Sequence, residues 1–91
     1  MTRKSYSVKS TWRSMARDAP GVALAMTRLG KRIRELRARA ELTQEQAAVR
    51  ARVDPNHWLQ LEAGRTNPTL ATLVGVARAL RVKLAELFQT T

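Results

Sequence analysis

Asn56 and Gln60 lie four residues apart, and both carry a carboxamide. On a helix that spacing places the two side chains one turn apart on the same face. A carboxamide holds a donor and an acceptor side by side, the pattern that pairs with N6 and N7 of adenine in the major groove of duplex DNA. Pro55 and Leu59 repeat the spacing one residue earlier. Leu59 is apolar where its neighbours are polar, which suits either a thymine methyl group or a surface that meets another protein. Other chemistries find little support. The chain has one histidine and no cysteine, so it offers neither a metal site nor a thiolate nucleophile, and no cofactor is expected. Its seven acids are scattered without the paired spacing that acid–base catalysis uses, and no glycine-rich phosphate loop is present. An enzyme is not expected.

The elements that must position the amides are short helices. Residues 27–40 read as a first helix, with Leu29, Ile33, Leu36 and Ala40 forming one apolar stripe among five lysines and arginines. Ala23 to Met26 are placed to begin a helical turn ahead of it. Thr43 caps the next helix, and Gln46 three residues on completes a capping box. Ala47, Ala48 and Ala51 give that helix a small inward face. Asp54 is a good N-cap, Pro55 suits the first helical position, and Gly64 closes a third helix of about residues 54–63 whose Trp58 and Leu61 point inward. Thr69 caps a fourth, with Leu70, Leu73, Val74, Ala77 and Leu80 as its stripe, and Leu84, Leu87 and Phe88 fall in a short fifth. No strand-like alternation is sustained, so the class is all-α. Two short helices joined by a tight break at residues 51–53 gain little stability alone; they persist packed at a steep angle, which is helix-turn-helix geometry.

Charge points to the same partner. Lys and Arg number 17 against 7 acids, a net +10 on 91 residues, and such a balance favours a polyanion, nucleic acid above all. The chain divides near residue 26. Residues 1–26 hold Arg3, Lys4, Lys9, Arg13 and Arg17 against Asp18 alone, with four serines, two threonines and a Pro20-Gly21 breaker. They read as a basic N-terminal arm, partly disordered or carrying a short helix, although Tyr6 and Trp12 want something to pack on. Arg3 and Lys4 can enter a minor groove or meet outlying phosphates; alternatively the segment is inert, with Met26 the true start. No apolar run approaches the ~20 residues of a membrane span, and no secretory signal precedes Arg13 and Arg17. A cytoplasmic, nucleoid-associated protein is expected.

Residues 29–88 resemble the lambda-repressor-like (Xre/Cro) helix-turn-helix domains of bacteria and phages. The resemblance rests on LGKRIRELRARAELTQEQAA, VDPNHWLQLEAGRTNPTLATLVGVARAL and the closing LAELF. Within these, Thr-Gln-Glu-Gln opens the second helix, Leu-Glu-x-Gly closes the third and Asn-Pro-Thr-Leu opens the fourth. The resemblance implies a compact five-helix DNA-binding domain over residues 27–91. Gln44 takes the place that bonds a DNA phosphate, with Thr43 beside it. Pro55, Asn56 and Gln60 face the major groove, and His57 reaches phosphate or base. Arg65, Thr66 and Asn67 track the backbone after the third helix, while Arg50 and Arg52 either flank the duplex or form a solvated face. Glu62 is implied to be structural, paired to Arg32 or Arg37 of the first helix.

Three positions depart from the family pattern. Arg52 stands where glycine is usual in the turn, at a cost of about 1 kcal/mol or more for a left-handed backbone. Ala47 replaces a leucine and Trp58 a smaller aliphatic, a pairing that reads as a compensating swap of volume. The function expected is a sequence-specific transcription regulator binding double-stranded DNA. It is expected to act as a homodimer on an inverted repeat, with half-sites one helical turn apart. Leu84, Leu87, Phe88 and exposed parts of the fourth helix either supply the dimer contact or pack in the core. Restriction-modification controllers and phage-type repressors share the layout. The alternative is an antitoxin or adaptor whose domain chiefly holds a protein partner.

Overall fold

In the computed structural model, residues 19–89 are described. They form α1 (Val22–Arg39), α2 (Gln44–Ala51), α3 (Pro55–Glu62), α4 (Leu70–Leu80) and a 3₁₀ turn (Leu84–Phe88), with no strand among them. The all-α expectation holds, but the count of five helices does not. The last element is a 3₁₀ turn of five residues, too short to repay the cost of an α-helical nucleus. Residues 1–18, where most of the basic arm falls, lie outside the described residues.

α1 begins five residues earlier than expected and runs across residue 26. Gly21 starts it in a left-handed conformation (φ 89°) that suits glycine. Leu29, Ile33 and Leu36 of the predicted stripe are buried, whereas Ala40 is an exposed C-cap. Arg32 is buried as well, and its Nε donates to the Glu86 carbonyl at 2.8 Å, which ties α1 to the 3₁₀ turn.

The predicted caps form. The Thr43 hydroxyl accepts from the Gln46 amide at 3.0 Å, and the Gln46 side chain accepts from the Thr43 amide at 2.9 Å. Thr69 caps the Thr72 amide at 3.1 Å. On α4 the inward face comprises Leu73, Val76, Ala77, Ala79 and Leu80; Leu70 and Val74, placed on the stripe by sequence, are exposed. α2 packs on α4 and α3, α3 packs on α1, and the 3₁₀ turn closes against α1 and α4. The largest fully buried side chains are Trp58, Ile33, Leu87 and Val76, one from each of the elements that α2 leaves to fill the core. Ala47 is fully buried too, so the small and the large member of the expected volume swap occupy one core.

One glycine sets the closest helix contact. A Cβ on Gly30 of α1 would sit 2.5 Å from the Leu61 carbonyl oxygen and 2.6 Å from that of Glu62. The absence of a side chain lets α1 meet the end of α3 backbone to backbone, and so fixes the depth at which α3 is seated.

Candidate nucleic-acid interface

α3 is anchored from its inner side. Trp58 is 0% exposed and Leu61 2%. Beside them the Glu62 carboxylate is enclosed, its side chain 1% exposed, and it collects donors from three helices. Arg37 of α1 holds both its oxygens: Nε donates to Oε2 at 2.5 Å and a terminal nitrogen to Oε1 at 3.1 Å. Gln44 of α2 donates Nε2 to Oε1 at 2.9 Å, and the Trp58 indole N–H donates to Oε2 at 2.6 Å. Arg34 stands 3.8 Å off on the exposed side. Burial by itself would raise this carboxyl's pKa; the hydrogen bonds from Arg37, Gln44 and Trp58 outweigh it and hold the group below the ordinary glutamate range. Of the two arginines proposed as its partner, Arg37 fills the role. Its remaining nitrogen donates to the Leu42 carbonyl at 2.9 Å, whereas Arg32 is engaged with the 3₁₀ turn.

The outer side of α3 carries the residues singled out by spacing. Pro55, Asn56 and Leu59 are exposed, and His57 and Gln60 are half-buried. Asp54 Oδ2 accepts from the backbone amides of Asn56 at 2.9 Å and His57 at 3.4 Å. Those amides are therefore satisfied within the chain and are not offered to a phosphate. The outward face of α3 therefore presents its side chains rather than these backbone amides.

Thr43, Gln44, Pro55 and Leu59 converge, together with Glu45, on one open groove of about 370 Å³ between the start of α2 and α3. Sequence reasoning passed over Glu45. It also expected Gln44 to be free for a phosphate, and the structure places its amide on Glu62. An amide nitrogen carries two hydrogens, so one donor of Gln44 remains. The other expected phosphate ligands lie outside the lining of this groove. Arg50 lies in the last turn of α2, exposed, and lines a shallow depression with Glu45, Gln46 and Val49. Arg52 is exposed at the α2–α3 turn, in the left-handed conformation (φ 59°, ψ 41°) that its position implied. Arg65 and Asn67 are exposed in the loop after α3, with Thr66 half-buried between them. Of the residues considered for a dimer contact, Leu87 is fully buried and Leu84 packs against the core; Phe88 alone is exposed, at 57%.

A short capped helix, a tight turn and a second short helix with an anchored inner face and a polar outer one define a helix-turn-helix unit. The helix-turn-helix domain family matches residues 28–88. The chain belongs to the lambda-repressor-like (Xre/Cro) family of DNA-binding helix-turn-helix transcription regulators. It is similar to the immunity repressor protein of Bacillus phage phi105, 37% identical over 57 residues, which are 63% of this chain and 40% of the phage protein. It is also similar to the uncharacterised helix-turn-helix transcriptional regulator y4dJ of Sinorhizobium fredii, 38% identical over 63 residues, 69% of this chain and 82% of that one. Among solved structures, the restriction-modification controller protein C.AhdI of Aeromonas hydrophila superposes with a TM-score of 0.68 at 33% identity, covering 69% of this chain and 96% of its own. The likeness therefore takes in less than half of the phage repressor and nearly all of the controller. No helix among the described residues is long and apolar enough to cross a membrane.

Proposed function

We propose that this chain regulates transcription by reading an operator through α3, laid in the major groove of double-stranded DNA. The observation that carries the reading is the two-sided character of that helix. Its inner face is locked by Trp58, Leu61 and Glu62, while Pro55, Asn56, Leu59 and Gln60 are presented outward. A helix with outward amides can pair with adenine edges, and the exposed arginines at 50, 52 and 65 supply cations suited to phosphates. The net charge of +10 supplies the long-range attraction.

A single domain touches few base pairs, so a homodimer on an inverted repeat is the form that yields adequate specificity, with half-sites ~10–10.5 base pairs apart. Phe88, and Leu70 and Val74 of α4, are exposed apolar side chains that suit the two-fold contact. The likeness to a restriction-modification controller over most of that protein's length favours a compact regulator of the controller or phage-repressor type.

The test is selection from random duplex DNA at physiological salt, with an Asn56→Ala/Gln60→Ala variant in parallel. A symmetric repeat enriched by the parent and lost by the variant is expected. Equal, weak, sequence-independent binding by both would mean that charge alone holds DNA, and would make a protein partner the principal ligand.

A further inference from the structure

A groove of about 180 Å³ opens between the first half of α1 and the 3₁₀ turn, away from the residues proposed to read DNA. Leu29 and Leu87 are its buried members, Ala25 and Phe88 its exposed apolar ones, and Arg28 and Gln89 complete the lining. No acid lines it, so a lysine or arginine finds no counter-ion there. An aromatic ring finds apolar walls, the Phe88 ring and a guanidinium for its face. An apolar cavity of ~150 Å³ takes a benzene ring, so this groove suits one large aromatic side chain.

The way the chain enters α1 brings such a side chain within reach. The Val22 amide donates to the Ala19 carbonyl at 3.2 Å, and Gly21 takes φ 89° and ψ −12°. Those are the angles of the second central residue of a type II β-turn, and Pro20 holds the first. Such a turn reverses chain direction, so the chain enters α1 from alongside it rather than along its axis. Residues 1–18 lie outside the described residues, but their sequence sets their reach. Trp12 stands seven residues before Ala19, a span of about 10 Å as a helix and up to about 25 Å when extended. Ala25 and Leu29 lie about 5 and 10 Å along α1 from Val22, a distance that either form of chain covers.

We infer that the Trp12 indole fills the groove between α1 and the 3₁₀ turn of its own chain, so that the N-terminal segment is docked on the domain. Trp12 is the largest apolar side chain ahead of α1. Arg28 supplies the cation for its ring face, and the Gln89 carboxamide supplies an acceptor for its N–H. Docking covers the groove side of Phe88 and leaves its outer side for the two-fold contact proposed above. The inference does not depend on which bases α3 reads.

The experiment uses the full chain labelled with 5-fluorotryptophan. Fluorine NMR then gives one signal from Trp12 and one from the buried Trp58, told apart with Trp12→Phe. The Trp12 signal is expected well away from its position in denaturant. Ala25→Leu fills the groove with a good helix former, and should return the Trp12 signal to that position while leaving the Trp58 signal in place. A Trp12 signal already at the denatured position in the unaltered protein would overturn the assignment, however any variant folds. So would a Trp12 signal that Ala25→Leu leaves unmoved. Dilution separates the two sources of the indole. A displaced signal that is constant with concentration keeps Trp12 on its own chain; one that returns to the denatured position on dilution would place it on a second copy and overturn the assignment.

Discussion

Glu62 is the residue on which three helices agree. Its carboxylate takes donors from Arg37, Gln44 and Trp58, which lie on α1, α2 and α3. A buried charge is tolerated when it is paired and hydrogen-bonded, and removing its charge strands the partner. Glu62→Gln is therefore expected to destabilise the fold by about 3 kcal/mol, measured by chemical denaturation. The effect should depend on pH. Folding lowers the carboxyl's pKa, so the unfolded chain binds the proton more readily. The stabilisation is full above the unfolded value of about 4.3 and drains away as pH falls through the lower folded value. The gap between parent and Glu62→Gln should narrow below about pH 4. A constant gap down to pH 2 would show that the charge is not what stabilises. The Trp58 contact is a smaller matter of the same kind: Trp58→Phe keeps much of the bulk and removes one donor to a charged acceptor, and should cost about 2 kcal/mol.

At the scale of the element, helix ends carry strain of a specific sort. Glu41, Arg52, Gly64 and Arg81 follow α1, α2, α3 and α4, and all have positive φ, between 59° and 72°. Each end closes with the following amide reaching back five residues, as in Val53 to Ala48 and Val82 to Ala77, both at 3.0 Å. Only one of the four positions is glycine. The other three each pay part of the left-handed penalty, so Glu41→Gly and Arg52→Gly should each stabilise by up to about 1 kcal/mol, seen as a higher Tm. The two should part company on DNA: Arg52→Gly should bind its operator more weakly despite the higher Tm if Arg52 meets a phosphate, and Glu41→Gly should not. Gly30 is the opposite case. Its space is filled by the carbonyls of Leu61 and Glu62, and a methyl there must push α1 and α3 apart. Gly30→Ala should cost about 2 kcal/mol or more and, in whatever population remains folded, misplace α3 enough to lower operator affinity.

For the whole molecule, the charge balance and the exposed apolar surface bear on the proposed function. If the basic residues ahead of α1 reach DNA, Arg3→Ala/Lys4→Ala in the full chain should reduce the slope of log affinity against log salt by up to about 2, since each phosphate neutralised contributes about 0.9. An unchanged slope would mean that Arg3 and Lys4 neutralise no phosphate in the complex. Phe88 belongs to this scale too. It is large, apolar and exposed beside a groove lined by Ala25, Arg28, Leu29, Leu87 and Gln89, and a two-fold contact is the economical way to cover it.

Much of this protein was legible in its residues, because the signals were local. Thr43 with Gln46, Asp54 with Pro55, and Thr69 fix where helices start, since a cap and the amide it satisfies lie within three residues of each other. The outward placement of Asn56 and Leu59 followed from helical periodicity against Trp58 and Leu61. Family likeness added that Glu62 is structural, and narrowed its partner to two arginines on one helix. The choice between them belonged to tertiary structure, because Arg32 and Arg37 differ only in where α1 sets them, one beside the 3₁₀ turn and one beneath α3. The engagement of Gln44 by Glu62, across eighteen residues of sequence, was hidden for the same reason. So was the fate of Leu70, Val74, Leu84 and Leu87: apolar spacing says that a side chain can be buried, and only the packing of neighbouring helices decides which face of the helix finds a partner. The sequence by itself determined the helices, their caps and the class of ligand. Tertiary structure decided which polar side chains are spent on the scaffold and which remain exposed, because a hydrogen bond between distant residues exists only once the helices carrying them have docked.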